Sequence, residues 1–286
     1  MADQPWSEWT GRVQRAEDWV TPQRVAAWFA MLDHTDAPDE GAPAPPGFHW
    51  TLAPPLVRES ELGPDGHPLR DANSFLPPIP MPRRMWAGSR LTFHRPLLIG
   101  DRVERESVIT AIQQKQGSSS ELVFVTIRHR FTTELGLAIE EEQDLVYRPT
   151  APIDDRRTTE TSTSSPAPAS RWQRAIYPSE TLLFRFSALT FNGHRIHYDR
   201  RYATEVENYP GLVVHAPLIA TLLLDLLCGV IRSTSIERFT FKALRPTFNT
   251  SDFSISAEPA MEQNRFELWS ADNRGERAVE AYAWIR

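Results

Sequence analysis

Along the 286 residues, apolar positions form two similar series of periodic segments separated by a polar break. Thr21 followed by Pro22 has the form of a helix N-cap with proline in the first turn. Val25, Trp28, Phe29 and Leu32 then share one helical face, which predicts a short amphipathic helix. Strand-like runs follow over 90–93, 102–112, 122–132 and 137–147, with Gly100-Asp101 and Gln116-Gly117-Ser118 as turn signals. Long strands in consecutive order predict an antiparallel meander. In the second series, 182–189 reads as a strand and 216–231 as a helix opening with Pro217. That helix, Ala-Pro-Leu-Ile-Ala-Thr-Leu-Leu-Leu-Asp-Leu-Leu-Cys-Gly-Val-Ile, is apolar on nearly every face, so it is expected to be buried all round. Strand-like runs at 236–244, 253–258, 265–270 and 278–284 complete the series.

The break falls at 151–170, where Thr-Ser-Thr-Ser-Ser-Pro-Ala-Pro-Ala-Ser offers almost nothing to bury and reads as a linker. It separates an N-terminal unit, 1–150, from a C-terminal unit, 171–286. Each is expected to place a curved antiparallel sheet around a helix, an α+β double hot-dog arrangement. Proline sharpens the difference between the units. Of the 24 prolines, 13 lie between Asp36 and Pro96, too many for a central helix like 216–231. The first unit is therefore expected to be degenerate there, with extended chain along its surface or over a pocket.

A net charge of -6 argues against a general nucleic-acid binder, which needs a basic face to displace counterions. The longest uncharged stretch, 208–224, contains Tyr-Pro-Gly and His215 and falls short of the roughly 20 apolar residues of a membrane span. The single cysteine, Cys228, excludes an internal disulfide and any multi-thiolate metal site. The opening Met-Ala-Asp-Gln-Pro-Trp has no export or organelle pattern, and a cytoplasmic location is expected.

Chemistry concentrates in Phe186-Ser-Ala-Leu-Thr-Phe-Asn-Gly-His-Arg-Ile-His-Tyr-Asp199 and Tyr209-Pro-Gly-Leu-Val-Val-His-Ala-Pro-Leu218. Polar groups packed just before a buried helix must be hydrogen-bonded or functional. The pair of segments resembles the hydratase motif of the MaoC-like hot-dog family, Ala-x-x-Ser-Gly-Asp-x-Asn-Pro-x-His followed by Gly-x-x-x-x-x-His-Gly. His197 matches the motif histidine. Asn192 falls where the family has its aspartate, Thr190 stands for the serine, His194 for the asparagine and Ala216 for the glycine that opens the helix. The fuller segment is similar to the branch of itaconyl-CoA and mesaconyl-C4-CoA hydratases and mitochondrial-type 3-hydroxyacyl dehydratases. Phe75-Leu-Pro-Pro-Ile-Pro-Met-Pro-Arg-Arg-Met-Trp-Ala-Gly-Ser-Arg-Leu-Thr-Phe93 and Glu141-Glu-Gln-Asp-Leu-Val-Tyr147 support the same branch.

The resemblance implies reversible addition of water to a 2-enoyl-CoA, itaconyl-CoA or mesaconyl-C4-CoA giving citramalyl-CoA. A fatty-acid type (R)-3-hydroxyacyl dehydratase is the alternative, and a hot-dog thioesterase or a non-catalytic acyl-CoA-binding subunit are further readings. Hydration needs a proton exchanger, for which a neutral His197 is suited, and donors for the enolate oxygen, for which the Ala216 N–H opens the helix. An amide is no general base, so Asn192 is assigned to holding water or substrate. His215 either caps the helix or lines the pocket with Thr190. Arg83, Arg84 and Arg245 are candidates for the coenzyme A phosphates or a second carboxylate. His194, His197 and Asp199 have metal-ligand chemistry, but the spacing does not support a site. No metal and no cofactor beyond the coenzyme A of the substrate are expected, and covering sheet edges makes a homodimer plausible.

Overall fold

Thr21 accepts the Arg24 N–H on its side chain at 3.3 Å, and Pro22 fills the first turn of α1 (Pro22–Met31). The buried residues of α1, Val25, Trp28 and Met31, fall at helical spacing, which is why this segment coils. The computed structural model describes residues 5–116, 121–149, 170–231 and 235–286. The chain divides into two units, Met1–Thr150 and Ala151–Arg286. Apart from Ser170, the linker assigned to 151–170 lies outside the described residues, as does the turn at Gly117-Ser118.

In the first unit, β1 (Val13–Trp19) precedes α1, and β2 (Arg83–Phe93), β3 (Arg102–Gln116), β4 (Glu121–Thr133) and β5 (Gly136–Arg148) follow it. The sheet order is β1-β3-β4-β5-β2, with every pair antiparallel. Alternation drives it: Val123, Val125 and Ile127 of β4 point into a core with Ile109, Leu145 and Tyr147. Gly136 sits at φ 101 where β4 turns into β5, a conformation that an L side chain disfavours.

The second unit repeats that path. Its elements are β6 (Trp172–Ile176), α2 (Glu180–Leu189), α3 (Ala216–Val230), β7 (Ile236–Ala243), β8 (Phe253–Pro259), β9 (Arg265–Ala271) and β10 (Arg277–Ile285). The order β6-β8-β9-β10-β7 matches the first unit strand for strand. The exits of the first helices match as well. Asp33 and Phe191 both have positive φ, 65 and 49, and His34 and Asn192 donate backbone N–H groups to Phe29 O and Ser187 O at 3.0 and 2.8 Å.

Helix α2 corrects the strand expected over 182–189. The run Leu-Leu-Phe-Arg-Phe-Ser-Ala-Leu is too apolar for its period to be read, but Ser179 caps Leu182 N–H at 3.1 Å, and Leu183, Phe186 and Ser187 are buried at helical spacing. Helix α3 packs on β8, β9 and β10. Leu218, Leu223 and Leu227 are fully buried, each contributing about 1.5–3 kcal/mol, and Ala281 and Ala283 of β10 leave room for the helix.

Among the described residues, the first unit has no counterpart of α3. An isolated bridge, Pro43 to Leu98, corresponds to the bridge Val213 to Phe248 that precedes α3. Beyond it the proline-bearing chain makes short 3-10 turns at Phe48–Thr51 and Glu59–Glu61 and one isolated bridge, Leu62 to Pro68, before β2. Different chemistry covers the sheet as a result. Ile139 and Val279 end the β2–β5 and β7–β10 ladders, so Glu141 holds the register position that Ala281 holds under α3. Glu141 is buried, His49 Nε2 lies 3.3 Å from it, and Trp50 Nε1 donates to both its oxygens at 3.2 Å. Burial, the largest influence, raises the affinity of this carboxyl for a proton, yet His49, His129 and the Ser89 hydrogen bond together outweigh it and hold Glu141 below its ordinary value.

Candidate active site

Helix α2 ends with Thr190, whose N–H and hydroxyl both turn back to Phe186 O, at 3.0 and 2.7 Å. The Thr190 hydroxyl, a candidate substrate contact in the sequence, is thus spent on closing the helix. After Phe191, Asn192 Oδ1 accepts the His194 N–H at 3.1 Å, an Asx turn that leads into a 3-10 turn at Arg195–His197. Asp199 accepts the Tyr202 N–H at 3.0 Å and is paired with Arg195 at 2.7 Å; those contacts hold its carboxyl below the usual range. It is committed to the local fold, where a π turn, Tyr202–Val206, follows.

The chain then runs through 209–214 as a strap. Val213 N–H donates to Ile196 O at 3.0 Å and Val214 N–H to Thr247 O at 2.8 Å. Leu212 N–H donates to Asn249 Oδ1, and Asn249 N–H returns to Leu212 O, each at 2.9 Å. Held from both sides, the Val213 carbonyl lies 2.7 Å from His197 Nδ1. A carbonyl only accepts, so Nδ1 carries the proton and Nε2 is the basic nitrogen left for chemistry. His197 is buried, and burial pushes it down to about 4 despite the Val213 carbonyl, which opposes the shift. At neutral pH it is an uncharged base of fixed tautomer.

His215 follows the strap and precedes α3, making no side-chain cap. Its Nε2 lies 2.8 Å from Ser187 Oγ and its ring stacks on His197 with centroids 3.7 Å apart and planes 18° apart. His194 meets His197 edge-on at 5.3 Å. Burial, then the charge of His197, holds His215 well below its ordinary value. Ala216 opens α3, and Pro217 brings no N–H, so the Ala216 amide is the first donor of a buried helix N-terminus.

The arrangement gathers His197, Asn192, His215 and Ala216 in the second unit. Of the candidate cations, Arg83, buried, and Arg84 start β2 in the first unit, and Arg245 of the second is paired with Glu276 and Asp272. The Cys228 thiol is pushed up to about 11 by burial and by Asp225, which makes it a poor nucleophile. Ser187 and Val213 were not singled out in the sequence. Once 182–189 is a helix, Ser187 is the polar residue on an inward face with Leu183 and Phe186, a signal hidden by the strand reading. A backbone carbonyl such as Val213 O leaves no mark in a sequence.

Two measurements check this geometry. A Cβ on Gly211 would lie 2.8 Å from both Asn249 Oδ1 and Thr250 Cγ2, so Gly211→Ala must disturb the Asn249 clamp on the strap. It is expected to cost about 1–3 kcal/mol in urea unfolding and to lower kcat with it. Acid should also destabilise the protein. His197 binds its proton less readily folded than unfolded, so its contribution is whole above about 6.5 and is lost as pH falls toward about 4. At ~1.4 kcal/mol per pH unit this amounts to about 3 kcal/mol; His129 and His215, which burial also pushes down, add to the fall in the same direction, so the urea midpoint should drop between pH 7.5 and 4.5 and drop less steeply in His197→Phe.

Residues 47–249 match the family described as hydroxyacyl-thioester dehydratase type 2. The chain is 43% identical over 283 residues to the mesaconyl-C(4)-CoA hydratase of Chloroflexus aurantiacus, covering 98% of each. It is 31% identical over 226 residues to the mitochondrial hydroxyacyl-thioester dehydratase type 2 of Schizosaccharomyces pombe, covering 71% of this chain and 74% of that one. Among solved structures, a Mycobacterium tuberculosis protein described as having a double hotdog fold superposes with TM-score 0.58 at 12% identity, over 97% of this chain and 96% of that one. That likeness establishes the architecture.

Proposed function

The chain belongs to the hydroxyacyl-thioester dehydratase type 2 family, and on that footing we propose that it hydrates a short dicarboxylic 2-enoyl-CoA. Mesaconyl-C4-CoA is the first candidate, giving citramalyl-CoA; itaconyl-CoA, the second, has its double bond one carbon further from the thioester and would enter the same path after that bond shifts into conjugation. The observation that carries the chemistry is the neutral His197, its Nδ1 locked on Val213 and its Nε2 left basic. The near full-length likeness to the Chloroflexus hydratase supports the choice of acyl group.

In this reading water is held by the Asn192 amide, whose Oδ1 is already used by the His194 N–H. His197 Nε2 takes a proton from the water as its oxygen bonds to the β carbon. Electron density moves to the thioester oxygen, where the Ala216 N–H and the α3 dipole stabilise the enolate. The proton then passes from His197 to the α carbon, and the base is restored. Dehydration of a 3-hydroxyacyl thioester is the same path reversed. Arg245, paired with Glu276 and Asp272, already has its own carboxylates.

The test is kcat/KM across crotonyl-, mesaconyl-C4- and itaconyl-CoA. The dicarboxylic esters are expected to be preferred at least tenfold, a difference of about 1.4 kcal/mol. Turnover of crotonyl-CoA with none of the carboxylated esters would assign the protein to fatty-acid type dehydration instead.

A further inference from the structure

Ser187, His215 and His197 form a continuous buried series that the hydration steps above do not use in full. Ser187 Oγ meets His215 Nε2 at 2.8 Å, and the His215 ring lies between Phe186, at 4.9 Å, and His197, at 3.7 Å. His215 is 1% exposed, and its Nδ1 is buried with no hydrogen-bond partner. A ring in that position cannot take on a proton without burying an uncompensated charge. It presents to His197 a flat, neutral π face whose orientation one hydroxyl sets.

We propose that Ser187 and His215 are positioning residues for the hydration reaction. Ser187 fixes the rotation of the His215 ring, and that ring fixes the plane of His197 and faces the positive charge His197 gains when it takes the proton from water. Such a charge over an aromatic face is stabilised, and the ring geometry reproduces a cation–π pair without giving the proton a second place to go. The inference rests on the hydratase reading and alters one assignment within it: His215 acts through His197 and is not a substrate contact. Orientation is where the effect should appear, because misplacing a reacting group by about 1 Å can cost about 100-fold in rate.

Steady-state kinetics on the preferred enoyl-CoA test this with three variants. His215→Ala is expected to lose about 100-fold in kcat with KM within threefold. His215→Phe, which restores a flat ring, should recover at least tenfold of that loss, and Ser187→Ala should fall between the two. A rise in KM with kcat kept would make His215 a substrate contact and overturn the proposal. So would a His215→Phe protein as inactive as His215→Ala, which would mean that an imidazole nitrogen itself is needed. A second readout does not depend on the substrate: the nitrogen-15 shifts of His197 should report the Nδ1–H tautomer in the unmodified protein and a tautomer mixture in His215→Ala. An unchanged tautomer there overturns the positioning role, whereas absence of turnover in the unmodified protein with the tautomer shift present overturns the hydratase reading alone.

Discussion

Replacing His197 by alanine is expected to lower kcat for hydration by about 10²- to 10⁴-fold, the usual worth of a general acid–base group, with KM little changed. His197 is the ring that the strap at 209–214 is built to hold. Ile196 and Thr247 accept its amides, Asn249 pairs with Leu212, and the Val213 carbonyl fixes Nδ1. No carboxylate is hydrogen-bonded to it among the described residues, which leaves the imidazole to take and return the proton by itself. The aspartate of the resembled motif is asparagine here, so the loss should not be rescued by a neighbouring acid. Far-UV circular dichroism should show the fold retained, and a variant with unchanged kcat would remove His197 from the mechanism.

Glu141→Ala in the first unit is expected to cost about 1–3 kcal/mol of stability, the scale for leaving buried hydrogen-bonding groups without their acceptor. The carboxylate accepts from Trp50 at 3.2 Å and lies 3.3 Å from His49, and both groups are left without it when it is removed. Urea unfolding gives the measure. Pairing the change as His49→Phe with Glu141→Leu should return most of the loss, because apolar groups of similar size need no partner. A single substitution that costs under 1 kcal/mol would mean that the cluster is not what covers this face of the sheet.

How much of this was legible in the sequence differs from element to element. The helix at 216–230 was readable because nearly every face is apolar, and the strands after it because short apolar and aromatic runs are set off by polar turn residues. Helix α2 was not, since in Leu-Leu-Phe-Arg-Phe-Ser-Ala-Leu the two-residue and 3.6-residue periods coincide; only the cap at Ser179 distinguishes them. Edge strands β1 and β6 were missed because β1 is mostly exposed and polar and β6, at five residues, is too short to show a period. At the site, residue types marked His197 and Asn192, and the proline excess marked the unit without a central helix. What holds the imidazole could not be read: the Val213 carbonyl is backbone, and Ser187 meets His215 only through the turn of chain between them. Thr190 shows the converse, a motif position whose hydroxyl the helix end consumes.

The most direct measurement incubates the protein with mesaconyl-C4-CoA and follows the conjugated-thioester absorbance and free thiol together. Hydration predicts that the absorbance falls, that no thiol is released, and that His197→Ala abolishes the change. Release of thiol in step with the absorbance would identify a thioesterase and contradict the assignment, as would an absorbance that does not change at all.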